Sequence, residues 1–285
     1  MLPALALHRA TLVYVVFGCI VALLCTITLL RPETYNDTSI DCAARGINPP
    51  VKIQPTTLSR EQALVKLHFH RQQMERQEIT NDRIGRTFFQ RNWEPSLTCT
   101  ALARLGCPGD GGKWVCDPHR YLGEHCLVYS FGSNDEFSFE EAVHHFNPNC
   151  EIHTFDPVVS EPVNKPHYVQ FHPWGMGTAA GSMYSLPVIM QRLGHTNVSI
   201  LKIDCEGCEL DVFNTHDFPS HGGAVQQILM EVHFDGKPER VHRLFNFLTD
   251  SGYVIVNKEA NIQYSDGRAV EFSLIHLNEL FRDTG

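Results

Sequence analysis

The chain has 285 residues, enough for one sizeable α/β domain with accessory segments. Its 43% hydrophobic and 19% charged residues exclude a disordered chain. A formal charge of −9 gives no electrostatic reason to bind nucleic acid.

Residues 1–10 form a short N-terminal tail. Residues 11–30, from Thr11 to Leu30, carry no charge and are rich in Leu, Val and Ile. Twenty helical residues span about 30 Å, the thickness of a bilayer core, so this run predicts a transmembrane signal anchor. A cleaved signal peptide competes with that reading, but the run is long for one. The following residues, Thr28 to Pro32, also lack a small-x-small site. Arg9 and Arg31 flank both ends and leave the charge rule for orientation uninformative. Two sequons follow, at Asn36 and Asn197, together with eight cysteines: Cys42, Cys99, Cys107, Cys116, Cys126, Cys150, Cys205 and Cys208. An even number of cysteines beyond an anchor suits disulfides in an oxidising lumen, with 105 possible pairings. The expectation is a single-pass type II protein facing the Golgi or another secretory-pathway lumen, secreted if the segment is cleaved.

Residues 31–57, with Pro32, Pro49, Pro50 and Pro55, read as a stalk. Residues 58–126 read as a helical and cysteine-rich accessory region. A helix is predicted from Leu58 to about Ile79, where Ser59 and Gln62 fit a capping box. Asp110–Lys113 marks a tight turn before a short strand at Trp114–Cys116. Residues 127–285 change texture: strands predicted at Leu127–Ser130, Cys150–Phe155, Tyr168–His172, Val198–Ile203 and Ile228–His233 alternate with helices at Phe137–Phe146, Leu186–Leu193 and Pro238–Ser251. Two further strands, Tyr253–Val256 and Val270–Ile275, close the chain. This alternation predicts a seven-stranded, mostly parallel sheet covered on both faces, with an antiparallel edge strand.

In such a sheet ligands bind beyond the carboxyl ends of the strands. Phe131, Gly132, Ser133 and Asn134 follow the first strand, and glycine there lets backbone approach a ligand. Asp156 ends the second strand, at the spacing expected of an acid that holds ribose hydroxyls. No G-x-G-x-x-G is present, which counts against a nicotinamide enzyme. The densest cluster is Lys202-Ile203-Asp204-Cys205-Glu206-Gly207-Cys208-Glu209. Lys202 shares a strand face with Asp204, and Glu231 shares one with His233. If those strands are neighbours, an ammonium, carboxylates and an imidazole converge. That set fits proton handling, a divalent metal on Asp204, Glu231 and His233, or a structural polar network; the metal is not favoured. For the Cys205-x-x-Cys208 pair, zinc and redox roles are less expected than buried thiols or disulfides to other cysteines. The histidines are scattered and read mostly as surface or partly buried residues.

The segment Val128–Asn134, the strand ending at Asp156, the Asp204–Glu209 element and Glu231-Val232-His233 resemble the FkbM-type methyltransferases. With Asp110–Asp117 included, the chain is similar to their methyltransferase-like protein 24 branch. The resemblance implies a Rossmann-like class I methyltransferase fold and S-adenosylmethionine as methyl donor. It also implies that Gly132 and its neighbours line the methionine side, that Asp156 holds the ribose, and that Asp204 lies near the reacting centre. Glu206 and Gly207 join the cofactor-binding residues, with Asp204, Glu231, His233 and Lys202 as the catalytic set. The implied reaction is O-methylation of a hydroxyl on a small molecule or glycan. The alternative is a membrane-anchored binding protein that keeps the fold without activity.

Overall fold

The computed structural model describes residues 84–281 apart from 109–110, 161, 178–180, 215–217 and 219–223. The anchor at residues 11–30, the stalk and the helix expected from Leu58 lie outside the described residues. Among the described residues no helix is long and apolar enough to cross a membrane.

In chain order come α1 (Gly85–Arg91), β1 (Leu102–Leu105), β2 (Lys113–Cys116), α2 (Pro118–Tyr121) and β3 (Leu127–Phe131). Then follow α3 (Ser138–Phe146), β4 (Glu151–Phe155), β5 (Val169–His172), β6 (Gly175–Met176), β7 (Met183–Tyr184) and α4 (Leu186–Leu193). The last are β8 (Val198–Ile203), α5 (Glu209–Val212), β9 (Val225–His233), α6 (Pro238–Asp250), β10 (Tyr253–Ala260), α7 (Ile262–Ser265) and β11 (Ala269–His276). Every strand and helix predicted between residues 114 and 276 is present, with ends shifted by a few residues.

The seven-stranded sheet has the order β10-β11-β9-β8-β3-β4-β5. Strands β5, β4, β3, β8 and β9 pair in parallel. The antiparallel strand is not at the edge, as the sequence suggested. It is β11, which pairs antiparallel with both β9 and β10. The reason lies in the connections. Helix α6 is 13 residues long and carries the chain past one strand position before β10 forms. The short link through α7 then returns β11 into the gap.

All six residues of β8 are buried, as a central parallel strand covered on both faces requires. On one face α1, α4 and α6 pack Phe88, Phe89, Leu186, Ile189, Leu244 and Phe245 against Phe131, Phe155, Leu201 and Met230. Val241, Leu244, Phe245 and Leu248 are the buried stripe of α6, at the three- and four-residue spacing of one helical face. On the other face a second core joins Leu105, Val115, Tyr121 and Leu122 with Phe139, Val143, Val128, Ile200 and Leu229. Here the β1–β2 hairpin does part of the covering that a helix would do. The fully buried amide of Gln227 fixes it: Nε2 donates to the Cys116 carbonyl at 2.9 Å and Oε1 accepts the Cys116 N–H at 2.8 Å. Ser273 Oγ donates to the Trp114 carbonyl at 2.6 Å. Residues 84–126 therefore share both cores with the sheet.

Disulfides join Cys99 to Cys116, Cys126 to Cys150 and Cys205 to Cys208; Cys107 is also disulfide-bonded. The Cys205–Cys208 pairing corrects the expectation that these two cysteines would be thiols or find partners elsewhere. The bend at Glu206 and Gly207 turns the chain back on itself and brings the two sulfurs together.

Candidate active site

Three strand ends meet at the carboxyl rim of the sheet. Gly132 leaves β3 with φ +79°, and a Cβ on it would stand 1.6 Å from the Asp204 carbonyl oxygen. Only glycine fits this contact. Gly132 N–H donates to the Phe155 carbonyl at 2.9 Å, and Asp204 N–H donates to the Phe131 carbonyl at 3.0 Å. Asp156 completes the junction. One carboxylate oxygen accepts the N–H groups of Ser133 at 3.1 Å and Asn134 at 2.9 Å. The other accepts those of Val158 at 2.9 Å and Val159 at 3.2 Å. The expected meeting of the Gly132 turn, Asp156 and the acidic bend is thus realised. Both oxygens of Asp156 are engaged in holding the loop.

Non-glycine residues in the left-handed region gather at this rim: Asn134 (φ +46°), Asp135 (φ +60°) and Glu206 (φ +55°). Such backbone persists only where its surroundings fix it, and it concentrates at ligand sites. Asn134 is exposed at the turn. Phe131 differs: its ring is buried and stacks on Phe155 at 4.4 Å between centroids, so it meets the rim only through its carbonyl.

Behind the rim lies a buried cation that the sequence reading did not place. Lys113, the first residue of β2, is 1% exposed. Its Nζ donates to Asp204 Oδ2 at 2.9 Å and to Glu271, and stands 3.7 Å from Glu231 Oε2. Burial opposes the ammonium, but the charges of Glu271, Asp204 and Glu231 outweigh it and hold its pKa above the ordinary value. Asp204 responds in the opposite sense. Burial works against its charge, yet Lys113 and Lys202 keep its pKa below the ordinary value. One ammonium does not offset three carboxylates. Burial, then Glu271 and Asp204, push the Glu231 carboxyl up to about 8, and burial raises Glu271 as well. Asn261 Nδ2 donates to Glu231 Oε1 at 2.8 Å.

Lys202 does not join these carboxylates by contact; its Nζ donates to the Gly132 carbonyl at 3.2 Å. The ammonium among Asp204, Glu231 and Glu271 is that of Lys113, which takes the place a metal on these acids would fill. His233 closes the site on the other side. Glu209, fully buried, accepts the His233 N–H at 2.7 Å, its Nδ1 at 3.1 Å and the Gly207 N–H at 2.9 Å. Exposed Glu206 lies 3.4 Å from His233 Nε2. Burial alone would lower the His233 pKa; Glu209, then Glu231 and Asp204, raise it to about 9. The ring is therefore an imidazolium at neutral pH. Glu206, Glu231, His233, Asn261 and Arg268 line a cleft of about 280 Å³ beside the bend.

Two signals for Lys113 and Glu271 were present in the sequence. Gly111-Gly112 sets Lys113 at the mouth of a strand, and Glu271 is the one acid in a mostly apolar closing strand. Neither signal says which partner the charge meets.

A Rossmann-like sheet with its last strand inserted antiparallel, and a glycine turn and acidic bend at one rim, defines a class I methyltransferase fold. The family model described as "Methyltransferase domain" matches residues 57–276, and the chain belongs to that family. It is 27% identical over 128 residues to the human protein named "Probable methyltransferase-like protein 24". That match covers 40% of this chain and 34% of the relative, so the chain spans about a third of the length of this curated relative. Among solved structures, the chain is similar to the Methanococcus jannaschii fibrillarin pre-rRNA processing protein. The TM-score is 0.37 at 11% identity, covering 62% of this chain and 88% of that one. It is also similar to Aeropyrum pernix fibrillarin, described with natively bound S-adenosyl-L-methionine, with TM-score 0.35 at 15% identity and coverage of 61% and 88%.

Proposed function

We propose that this methyltransferase takes S-adenosylmethionine at the Gly132 rim and methylates a hydroxyl oxygen on a small molecule or glycan. The carrying observation is the junction itself: Gly132 pressed against the Asp204 backbone, with Asp156 clasping the Ser133 and Asn134 amides. The donor set fits the cofactor on its methionine side, where carboxylates and the exposed Asn134 can meet an ammonium and a sulfonium. Asp156 serves the cofactor through the loop it holds.

The cofactor supplies an electrophilic methyl group. The chain's part is alignment and proton removal. Glu231, which gives up its own proton near pH 8, is from there the group placed to accept the hydroxyl proton. Asp204, kept ionised by Lys113, is a weaker base and orients the acceptor. His233, as an imidazolium, holds the acidic bend rather than acting as a base. Lys202 braces the Gly132 turn. The described disulfides support an oxidising compartment, in keeping with a type II protein of the Golgi or another secretory-pathway lumen.

Calorimetric titration of S-adenosylmethionine into the full chain tests the reading. Binding is expected, and Asp156→Ala should weaken it about tenfold, the worth of a charge-assisted hydrogen bond. Absence of binding at millimolar ligand overturns it. That result would favour the second reading, a binding protein that retains the fold, which the full engagement of both Asp156 oxygens also supports.

A further inference from the structure

A second cluster of ionisable side chains lies on the α4-covered face of the sheet, at the start of β4. Glu151 and His153 are two residues apart on that strand and share a face. Its third member, His195, follows the left-handed Gly194 that ends α4; its N–H donates to the Met190 carbonyl at 2.9 Å, which fixes the turn. Glu151 Oε1 is 2.8 Å from His153 Nε2 and 3.5 Å from His195 Nε2. The three candidate donor atoms all lie within 4.8 Å of one another.

We propose that Glu151, His153 and His195 form a binding site for a zinc-type divalent cation, separate from the cofactor rim. Two observations carry it. The first is spacing. In a tetrahedral site with bonds of about 2.0–2.1 Å, neighbouring donor atoms stand about 3.3 Å apart, and the Glu151 oxygen stands 2.8 and 3.5 Å from the two ring nitrogens, with all three atoms inside 4.8 Å. The second is the outer set of bonds. Ligating histidines usually fix their other ring nitrogen through a hydrogen bond. Here His153 Nδ1 lies 2.8 Å from His172 Nε2, and His195 Nδ1 lies 2.6 Å from the Tyr129 hydroxyl. With the proton on each Nδ1, both Nε2 lone pairs face the Glu151 carboxylate.

Two imidazoles and one carboxylate suit zinc and its neighbours better than calcium or magnesium. The Glu151 side chain is 48% exposed while that of His153 is 2% exposed. A cation therefore has an entry path, and a water can take the fourth position. Two other compact donor groups among the described residues lack this availability. Lys113 sits among Asp204, Glu231 and Glu271, and Cys205 and Cys208 are bonded to each other. Bound zinc would tie the end of α4 to β4.

The test is calorimetric titration of Zn²⁺ into the chelator-treated full chain in non-reducing buffer. Cobalt(II) replaces zinc in a parallel absorption experiment. One Zn²⁺ per chain is expected, with the intense visible bands of four-coordinate cobalt. His195→Ala and the half-exposed Glu151→Gln should each weaken zinc by more than tenfold, and Tyr129→Phe by about tenfold. Circular dichroism confirms that each variant is folded. No zinc uptake by the parent chain, or unchanged affinity in folded His195→Ala and Glu151→Gln, overturns the proposal.

Discussion

The two polar clusters of this sheet solve the same electrostatic problem differently. At the carboxyl rim, three carboxylates gather around a cation that the chain itself supplies, Lys113. At the start of β4, a carboxylate and two imidazoles converge with no lysine or arginine among the ion pairs that join them. The first cluster is held by covalent continuity with the β1–β2 hairpin, so it is part of the fold. The second can be completed from solution. A built-in cation makes a rigid scaffold for chemistry next to it, and a missing one makes a place for a ligand.

Substitution at the built-in cation should have the largest effect. Lys113→Met leaves Asp204, Glu231 and Glu271 facing one another, and removing one partner of a buried ionic set costs about 3–5 kcal/mol. Urea unfolding should show it.

Next comes the pH response of the same cluster. Glu231 has its pKa raised to about 8, so folding takes up a proton and stability falls as pH rises from the ordinary carboxylate range towards 8. His233 is raised to about 9; its contribution is full below its ordinary value near 6.5 and is lost as pH rises through 9. Both act in one direction, so the unfolding midpoint should drop between pH 6 and 9. Methyl transfer should instead rise through pH 8, as Glu231 becomes able to accept a proton.

Glu231→Gln sharpens the point. It should cost less than about 1 kcal/mol at pH 7, because the native carboxyl is still protonated there. It should also flatten the lower part of the pH decline and abolish turnover while cofactor binding persists. His195→Ala without metal should likewise cost no more than about 1 kcal/mol, for the lost bond to Tyr129. A loss as large as that of Lys113→Met would erase the contrast between the two clusters.

Much of this was legible in the sequence because parallel strands announce themselves as apolar runs. Val198–Ile203 and Ile228–His233 could be placed, and the rule that ligands sit beyond carboxyl ends then singled out Gly132, Asp156 and Asp204. What was not legible depended on long-range pairing. Lys113 meets Glu271 across 158 residues, and nothing local to either specifies the other. Strand direction at the sheet's end misled for a related reason. A helix of 13 residues can reach either the next strand position or the one beyond, and the sequence of α6 does not choose. Glu151-x-His153 had the same two-residue signature as Glu231-x-His233. No local pattern ties it to its third partner, His195, which lies beyond three further strands and a helix.

The Cys205–Cys208 bridge encloses Glu206 and Gly207, the two residues that form the acidic bend. Its bonding state is thus written by whichever cell makes the protein. A batch from a reducing cytosol would carry two thiols where a secreted batch carries a closed ring. Turnover figures from different production hosts become comparable once each sample's free-thiol count is stated beside them.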